Sequence, residues 1–582
     1  MEILFHALKE YSVVIFLCLS FLGFGKLTLV VTKKVNFEDK WLSTAISITL
    51  GMGIFIVSLQ ILGIFGLLRR FFVISILIIG FFIFLTMICR SISLTNFFNI
   101  KKFSIFSWLA ISVVATTVWA PLMVPLGWDE LMYHLPHARQ WAQNGDLSIH
   151  EWIRYPWFPY NIDLLFSAAY LIRNDTFSHF FNALSGWLIA LTIFRLGVVH
   201  ANHMTALIAT GLWIILTKDF YESAHTDMGI ALFIFSGCIA MNQWLDNLQR
   251  KKWLYIAWFF LGIGAGSKYQ ALSFSLLFFI VMLYKKASVK TVSISIFCFL
   301  IPCAYWYVRN FVATGDPFDP IGGPIFGFTD WNYDDLKYQL IDLNRLKNWP
   351  SWQLWPAILT PLLAKAKFIK SVHRGFIFSL YSFVVWYITS HYDRYLTSAY
   401  PVITLLSAYV VVIFLNAFKS EFTFSKDKIV TPLKYTFFIA FFSYLFIKVH
   451  DNFEQYKPFI SLTYEDRATI VNGRFPENKI YEQLKLSPLT KIYQWGLERS
   501  FYYAPVPVWG DHFGNWRYRD FQNSDPKKMA QKLAKDHFKI IIVNPEYILA
   551  FETGINFNLY FEEILESRGA KAYRIIFENI DY

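Results

Sequence analysis

Residues 127–144 read GWDELMYHLPHARQWAQN, and this stretch decides how the rest of the chain is to be read. It follows an apolar run long enough to cross a bilayer. It then sets two adjacent acids, Asp129 and Glu130, among His134, His137, Arg139 and aromatic rings. Such a mixture just past a span places carboxylates at the level of a membrane–water interface. A partly dehydrated carboxylate there has a tunable basicity and can serve as a general base on a hydroxyl. Asp129 is the candidate base, and Tyr133, His134 and His137 are candidates for lining a substrate pocket. Glu130, His134 and His137 also fall at i, i+4 and i+7, one face of a helix, which is a spacing a metal could use. Pro136 argues against a continuous helix through them. A divalent metal is compatible with the trio but not indicated, and the chemistry requires no cofactor.

Outside this stretch the composition is that of an integral membrane protein. Of 582 residues, 55% are hydrophobic and only 16% charged, with 60 Phe, 32 Tyr and 21 Trp; such aromatic content suits lipid-facing surfaces and interfacial belts. The formal charge of +12 could suggest nucleic acid, but the basic residues fall in short clusters between apolar runs. That is the pattern of cytoplasmic loops, so nucleic acid is excluded as a partner. Cys18, Cys89, Cys238, Cys298 and Cys303 lie inside apolar runs and form neither a disulfide framework nor a CxxC pattern. The N-terminus lacks a small-residue cleavage site after a short apolar core, so the first span is expected to be retained.

A bilayer-spanning helix needs about 20 apolar residues. Spans are expected near 11–32, 43–67, 71–89, 104–125, 178–199, 203–217, 226–245, 254–267, 269–284, 291–308, 352–364, 375–389, 396–418 and 430–450, about fourteen in all. Alternating the loops puts Lys33/Lys34/Lys40, Lys101/Lys102, Arg250/Lys251/Lys252, Lys285/Lys286/Lys290, Lys365/Lys367/Lys370/Arg374 and Lys419/Lys426/Lys428 on one side, with Arg69 and Arg70 the exception. By the positive-inside bias that side is cytoplasmic, and the organising loop faces outward. The expected class is therefore mostly α, a polytopic membrane helix bundle with a small C-terminal soluble α/β domain. Residues 1–100 hold extra N-terminal spans. Residues 101–450 form the catalytic module with its first outer loop at 126–177, and 451–582 form the soluble outer domain. In that loop NIDLLFSAAYLI is too short to cross and is expected to lie at the interface. In the last segment DPKKMAQKLAKDHF starts with an Asp cap and a Pro at the first helical position, and KIYQWG, VPVWGD, KIIIVN and KAYRIIFENI read as strands.

Charges at the outer ends of spans need an account, because charge is costly there. Asp227, in FYESAHTDMGIALF, either caps the helix it opens or joins Asp129 as an active-site acid. Lys268 follows GIGAG, whose small residues let a ligand approach; it is either a snorkelling charge or a phosphate clamp. Arg309 and Arg394 end spans on the same side, as interfacial anchors or as further cations for an anionic lipid head.

WDELMYHLPHARQWAQNG followed by YPWFPYNIDLLFSAAYL resembles the first outer loop of GT-C-fold glycosyltransferases, the closest group being family 39-like. That group includes the bacterial aminoarabinose lipid A transferases and the protein O-mannosyltransferases. The shared pattern is WD–x3–YHLP–x4–W–x2–NG, and HTDMGIALF, GAGSKYQAL, YVRNFVATGDPFDP and DRYLTSAYP follow in the family's order. The resemblance implies a membrane glycosyltransferase that moves a sugar from a polyprenyl-phosphate carrier to a lipid, glycan or protein acceptor, on the outer face of a bacterial inner membrane. It implies that Asp129 activates the acceptor beside Glu130, that Asp227 is the acid of the second outer loop, and that Lys268 faces the carrier phosphate. Arg309 and Arg394 are carried over as further phosphate-binding residues. Residues 1–100 lie outside the resemblance. Since the phosphate ester already has a good leaving group, one base, an anion clamp and dry positioning suffice, and a single displacement with inversion follows. The rival readings are an O-antigen ligase or polymerase, and a membrane transporter or lipid flippase. The first would rely on a histidine in a late outer loop, which 309–351 lacks. The second would place charges midway through spans rather than at their ends.

Overall fold

The computed structural model describes residues 1–31, 39–90, 104–345, 348–363, 369–421, 430–475, 477–484, 490–521 and 525–580. Lys33, Lys34, Lys101, Lys102, Lys365, Lys367, Lys426 and Lys428 of the expected basic clusters, and the side chain of Lys419, lie outside the described residues.

The first part is a helix bundle: α1 (Glu2–Val31), α2 (Lys40–Ile64), α3 (Arg70–Arg90), α4 (Ile105–Ala115), α5 (Leu135–Asn144), α6 (Asn161–Ile172), α7 (Ser178–His200) and α8 (His203–Thr217). It continues with α9 (Asp227–Asp246), α10 (Lys251–Ala265), α11 (Leu272–Tyr284), α12 (Val289–Thr314), α13 (Tyr333–Arg345), α14 (Ile369–Thr389), α15 (Tyr400–Glu421) and α16 (Val430–Tyr456). Among the described residues, eight helices are long and apolar enough to cross a membrane. All eight fall on expected spans, those near 11–32, 43–67, 71–89, 104–125, 178–199, 226–245, 291–308 and 396–418. Helices do form at 203–217, 254–267 and 269–284, but α8, α10 and α11 have 15, 15 and 13 residues, short of the ~20 a straight crossing needs. The expected span at 352–364 is a 3-10 stretch, Trp352–Leu359, followed by a single turn, Thr360–Leu363. Pro356 interrupts the regular hydrogen-bond ladder there.

The first three helices pack on each other through small residues. A Cβ on Gly23 would sit 2.0 Å from the carbonyl oxygen of Gly80 in α3, and one on Gly51 of α2 would sit 1.9 Å from that of Phe21 in α1. Backbones in van der Waals contact are how membrane helices associate where lipid removes the hydrophobic incentive. Helix α6, expected at the interface, is instead packed inside, with Asn161–Ala169 buried. Asn161 at its start is paired internally: it accepts from the Trp306 indole at 2.8 Å and donates to the Pro302 carbonyl at 2.9 Å.

The C-terminal part carries a five-stranded sheet in the order β2–β1–β3–β5–β4: β1 Lys491–Trp495, β2 Val508–Trp509, β3 Phe538–Val543, β4 Phe561–Ser567 and β5 Ala570–Ile575. The first three are parallel, with Ile492 opposite both Val508 and Ile540, and β5 runs antiparallel with Tyr573 opposite Ile541. The helix Pro526–Lys535 begins as its sequence dictates, with the Asp525 carboxylate accepting from the Lys527 N–H. Strand β4 was not legible in the sequence, because FEEILES is an edge strand with its acids exposed.

This sheet region docks on the end of the bundle that carries the 127–144 stretch. Val124 N–H donates to the Phe459 carbonyl at 3.0 Å, and Arg467 pairs with Asp175 at 2.5 Å. Arg517 pairs with buried Asp335 at 2.6 Å, and Arg154 makes a two-oxygen contact to Asp511.

Candidate active site

Four segments meet at that end: the loop after α4, the loop before α9, the turn after α10 and the 3-10 turn Asp393–Leu396. The first is shaped by Pro121 and then by a π-helical turn over Glu130–His134, closed by the Leu135 N–H donating to the Glu130 carbonyl. Helix α5 takes over and ends at Gly145, whose φ of +84° makes the left-handed cap that glycine adopts without strain.

Asp129 and Asp227 each carry one cation. The Asp129 carboxylate accepts from Arg394 at 2.5 Å and from the Tyr133 hydroxyl at 3.1 Å, and its side chain is 14% exposed. Asp227 accepts from Lys268 Nζ at 3.2 Å and is 7% exposed. One ring, Tyr395, holds both cations in place: Lys268 Nζ is 4.0 Å and the Arg394 guanidinium 5.4 Å from its centroid. Asp227 does not cap α9, since its carboxylate is turned to Lys268 and Thr226 occupies the cap position.

Burial opposes ionisation of Asp129, but the Arg394 guanidinium outweighs it and holds the carboxyl well below the usual carboxylate range. His225 lies between the two acids in charge terms. Burial pushes its imidazole toward the neutral form against the pull of Asp129. Its Nδ1 is 3.9 Å from Asp227, beyond hydrogen-bond reach, and is buried without a partner. His134 Nδ1 contacts Asp163 at 2.6 Å, which makes that nitrogen the proton-bearing one.

The structure separates the expected metal trio. His134 turns to Asp163, and His137 Nε2 turns to the Arg154 carbonyl at 3.0 Å. Glu130 is fully buried and accepts from the N–H groups of Leu126, Gly127 and Ala224 and from His179. The π turn is the physical reason: it spreads residues that a regular α-helix would stack at i and i+4. Among the described residues no three His, Cys, Asp or Glu side chains are grouped as a metal site. Glu130 is thus a clasp between the first loop, α7 and the loop before α9, not a neighbour of the Asp129 cluster in the sense the sequence suggested.

Arg309 is also elsewhere. Its Nη2 donates to the Pro156 and Phe158 carbonyls at 3.2 and 3.3 Å, and its guanidinium lies 4.9 Å from the Trp306 ring. It braces the YPWFPY segment rather than joining Lys268 and Arg394. The sequence reading missed His225 and Tyr395. Both stand beside a residue it did select, Asp227 and Arg394, which was the available signal.

The chain is 32% identical to the uncharacterized protein SF2092/S2214 of Shigella flexneri over 137 residues, which are 74% of that protein and 21% of this chain. The chain belongs to the SF2092 family. This SF2092-family chain is also 26% identical to the uncharacterized protein SF2093/S2215 of Shigella flexneri, over 84% of that protein and 26% of the chain. Residues 466–574 match the SF2091/S2213 family. In three dimensions the SF2092-family chain resembles ArnT from Cupriavidus metallidurans, solved bound to undecaprenyl phosphate. The likeness has a TM-score of 0.51 at 13% identity and covers 82% of this chain and 98% of that one. The fold is GT-C, as the 127–144 stretch implied.

Proposed function

We propose that the protein is an integral membrane glycosyltransferase that takes a sugar from a polyprenyl-phosphate carrier to an acceptor on the outer face of the membrane. The observation that carries this reading is the meeting of Asp129–Arg394 and Asp227–Lys268 on one aromatic ring at one end of an apolar bundle. The GT-C fold adds to it, since the ArnT of the same fold was solved with undecaprenyl phosphate.

In the chemistry we assign, Asp129 takes the proton from the acceptor hydroxyl as that oxygen attacks the anomeric carbon. The bond from that carbon to the phosphate oxygen breaks, and the configuration inverts. The polyprenyl phosphate leaves with its charge held by Lys268 and Arg394. The paired arrangement suits a donor-dependent base. An incoming phosphate draws Arg394 away from Asp129, and a carboxylate relieved of its cation becomes more basic. Contacts between the sheet region and the 124–177 loop, such as Arg154–Asp511, support one side for both. The positive-inside bias puts that side outward.

Lys268→Met is expected to weaken donor use by about one to two powers of ten, from a charge-assisted phosphate contact of about 1.5–3 kcal/mol. Lys268→Arg should recover part of the loss. Titration of a synthetic polyprenyl-phosphate sugar against the purified variants in nanodiscs measures this. An unchanged donor dependence for Lys268→Met would remove it as the phosphate clamp. The same assay tests the class, because a transferase releases polyprenyl phosphate in step with the glycosylated product, and a flippase releases none.

A further inference from the structure

The loop before α9 carries a titratable group with no part in the transfer step. His225 stands in a segment fixed from both sides. The Asn182 amide donates to the Ser223 carbonyl at 3.0 Å, and the Ala224 N–H donates to Glu130 at 2.7 Å. The His225 ring lies 6.5 Å from that of His134 and 6.1 Å from that of Phe220. The charged and titratable groups that act on it are Asp129, Arg394, Asp227 and His134. Asp227 divides its two oxygens between two residues. Its Oδ1 takes Lys268 at 3.2 Å, and its Oδ2 is the one toward His225, 3.9 Å from Nδ1. That nitrogen is buried and has no hydrogen-bond partner among the described residues. A shift of about 1 Å brings it into hydrogen-bond range of the carboxylate.

We infer that His225 takes up a proton as the donor binds and so balances the charge of the carrier phosphate. The inference rests on the transferase reading and adds a charge-balancing residue to that site. Asp129 with Arg394 and Asp227 with Lys268 are two acids matched by two cations, and their charges cancel. A sugar joined to a polyprenyl phosphate is a phosphodiester and brings one further negative charge. Uncompensated charge is costly in a partly dehydrated site. Two imidazoles are within reach. His134 is already tied to Asp163 at 2.6 Å, whereas Nδ1 of His225 is unpaired. As the phosphate draws Lys268 off Asp227, that carboxylate becomes free to accept from the protonated His225 ring. Burial favours the neutral ring before the donor arrives, so the proton comes from solvent together with the donor. An imidazole is more basic than a carboxylate, so the proton goes to His225 and Asp129 stays ionised for the acceptor hydroxyl. The affinity gained in this way is complete at low pH and is lost as pH rises through the pKa of His225 in the complex.

Calorimetry on the full chain in nanodiscs, run in buffers of different ionisation enthalpy, counts the proton. The probe is the methyl ester of undecaprenyl phosphate, a phosphodiester whose single charge is constant across neutral pH and which carries no sugar to transfer. Binding to the wild type at neutral pH should take up about one proton, and Kd should rise by up to about tenfold per pH unit above the pKa of His225 in the complex. His225→Gln and His225→Asn, at a side chain 16% exposed, should bind with almost no proton uptake and a flat pH profile. Binding by the wild type without proton uptake overturns the inference and leaves the transferase reading standing. Uptake that persists in both variants also overturns it, because the proton then belongs to another group. Failure of the probe to bind at any pH removes both, since the site then takes no carrier phosphate.

Discussion

Asp129→Asn is expected to lower sugar transfer by about a hundredfold to ten-thousandfold, the usual worth of a general base. The substitution keeps the shape of the side chain, so the Tyr133 hydroxyl and Arg394 retain an oxygen to bind, while the proton acceptor is lost. The loss should appear in kcat with donor KM changed little, because the phosphate contacts come from Lys268 and Arg394. Purified variant of normal elution profile, assayed with saturating donor, gives the comparison. Transfer at the wild-type rate would remove Asp129 from the chemistry and leave its ion pair a structural one.

Glu130→Ala, next to it, should act on stability instead. Its carboxylate is fully buried and holds three backbone N–H groups and His179. Removing it leaves those donors unpaired in a dry site, a loss of about 3–5 kcal/mol. Thermal unfolding in detergent should show a large drop in Tm, with polyprenyl-phosphate affinity per folded molecule unchanged. The acid has a further signature. Burial opposes its ionisation, but the His179 ring and the backbone donors prevail and set the folded-state pKa below the usual value. A depressed folded-state pKa means the stabilisation is complete above the unfolded carboxylate range, about 4.3, and is lost as pH falls through the folded value. Glu130→Gln should therefore flatten part of the acid limb of the stability profile. A Glu130→Ala protein as stable as wild type would show that the clasp is redundant.

The bundle was legible because apolar runs report spans directly, and the sheet because of the β-branched run IIIV in β3. What stayed hidden was non-local. Arg394 meets Asp129 across 265 residues of chain, and no local pattern specifies that pairing. Asp227 and Lys268 were selected separately as outer-end charges, and their mutual salt bridge followed only from the fold. The metal trio failed through local backbone geometry, a π turn where the spacing assumed an α-helix. The α6 segment reads as interfacial because it is too short to cross, and inside the bundle Asn161 pairs with Trp306 and Pro302 and Asp163 contacts His134. The apolar runs read at 203–217, 254–267 and 269–284 do form helices, of 13 to 15 residues.

The central claim is that this chain consumes a polyprenyl-phosphate sugar, and the most direct test is the lipid-linked sugar pool of cells with and without it. Mass analysis of membrane lipid extracts should show one polyprenyl-phosphate sugar accumulating when the protein is deleted. It should return to its former level on complementation with the wild type but not with Asp129→Asn. An unchanged pool of every polyprenyl-phosphate sugar on deletion would contradict the account.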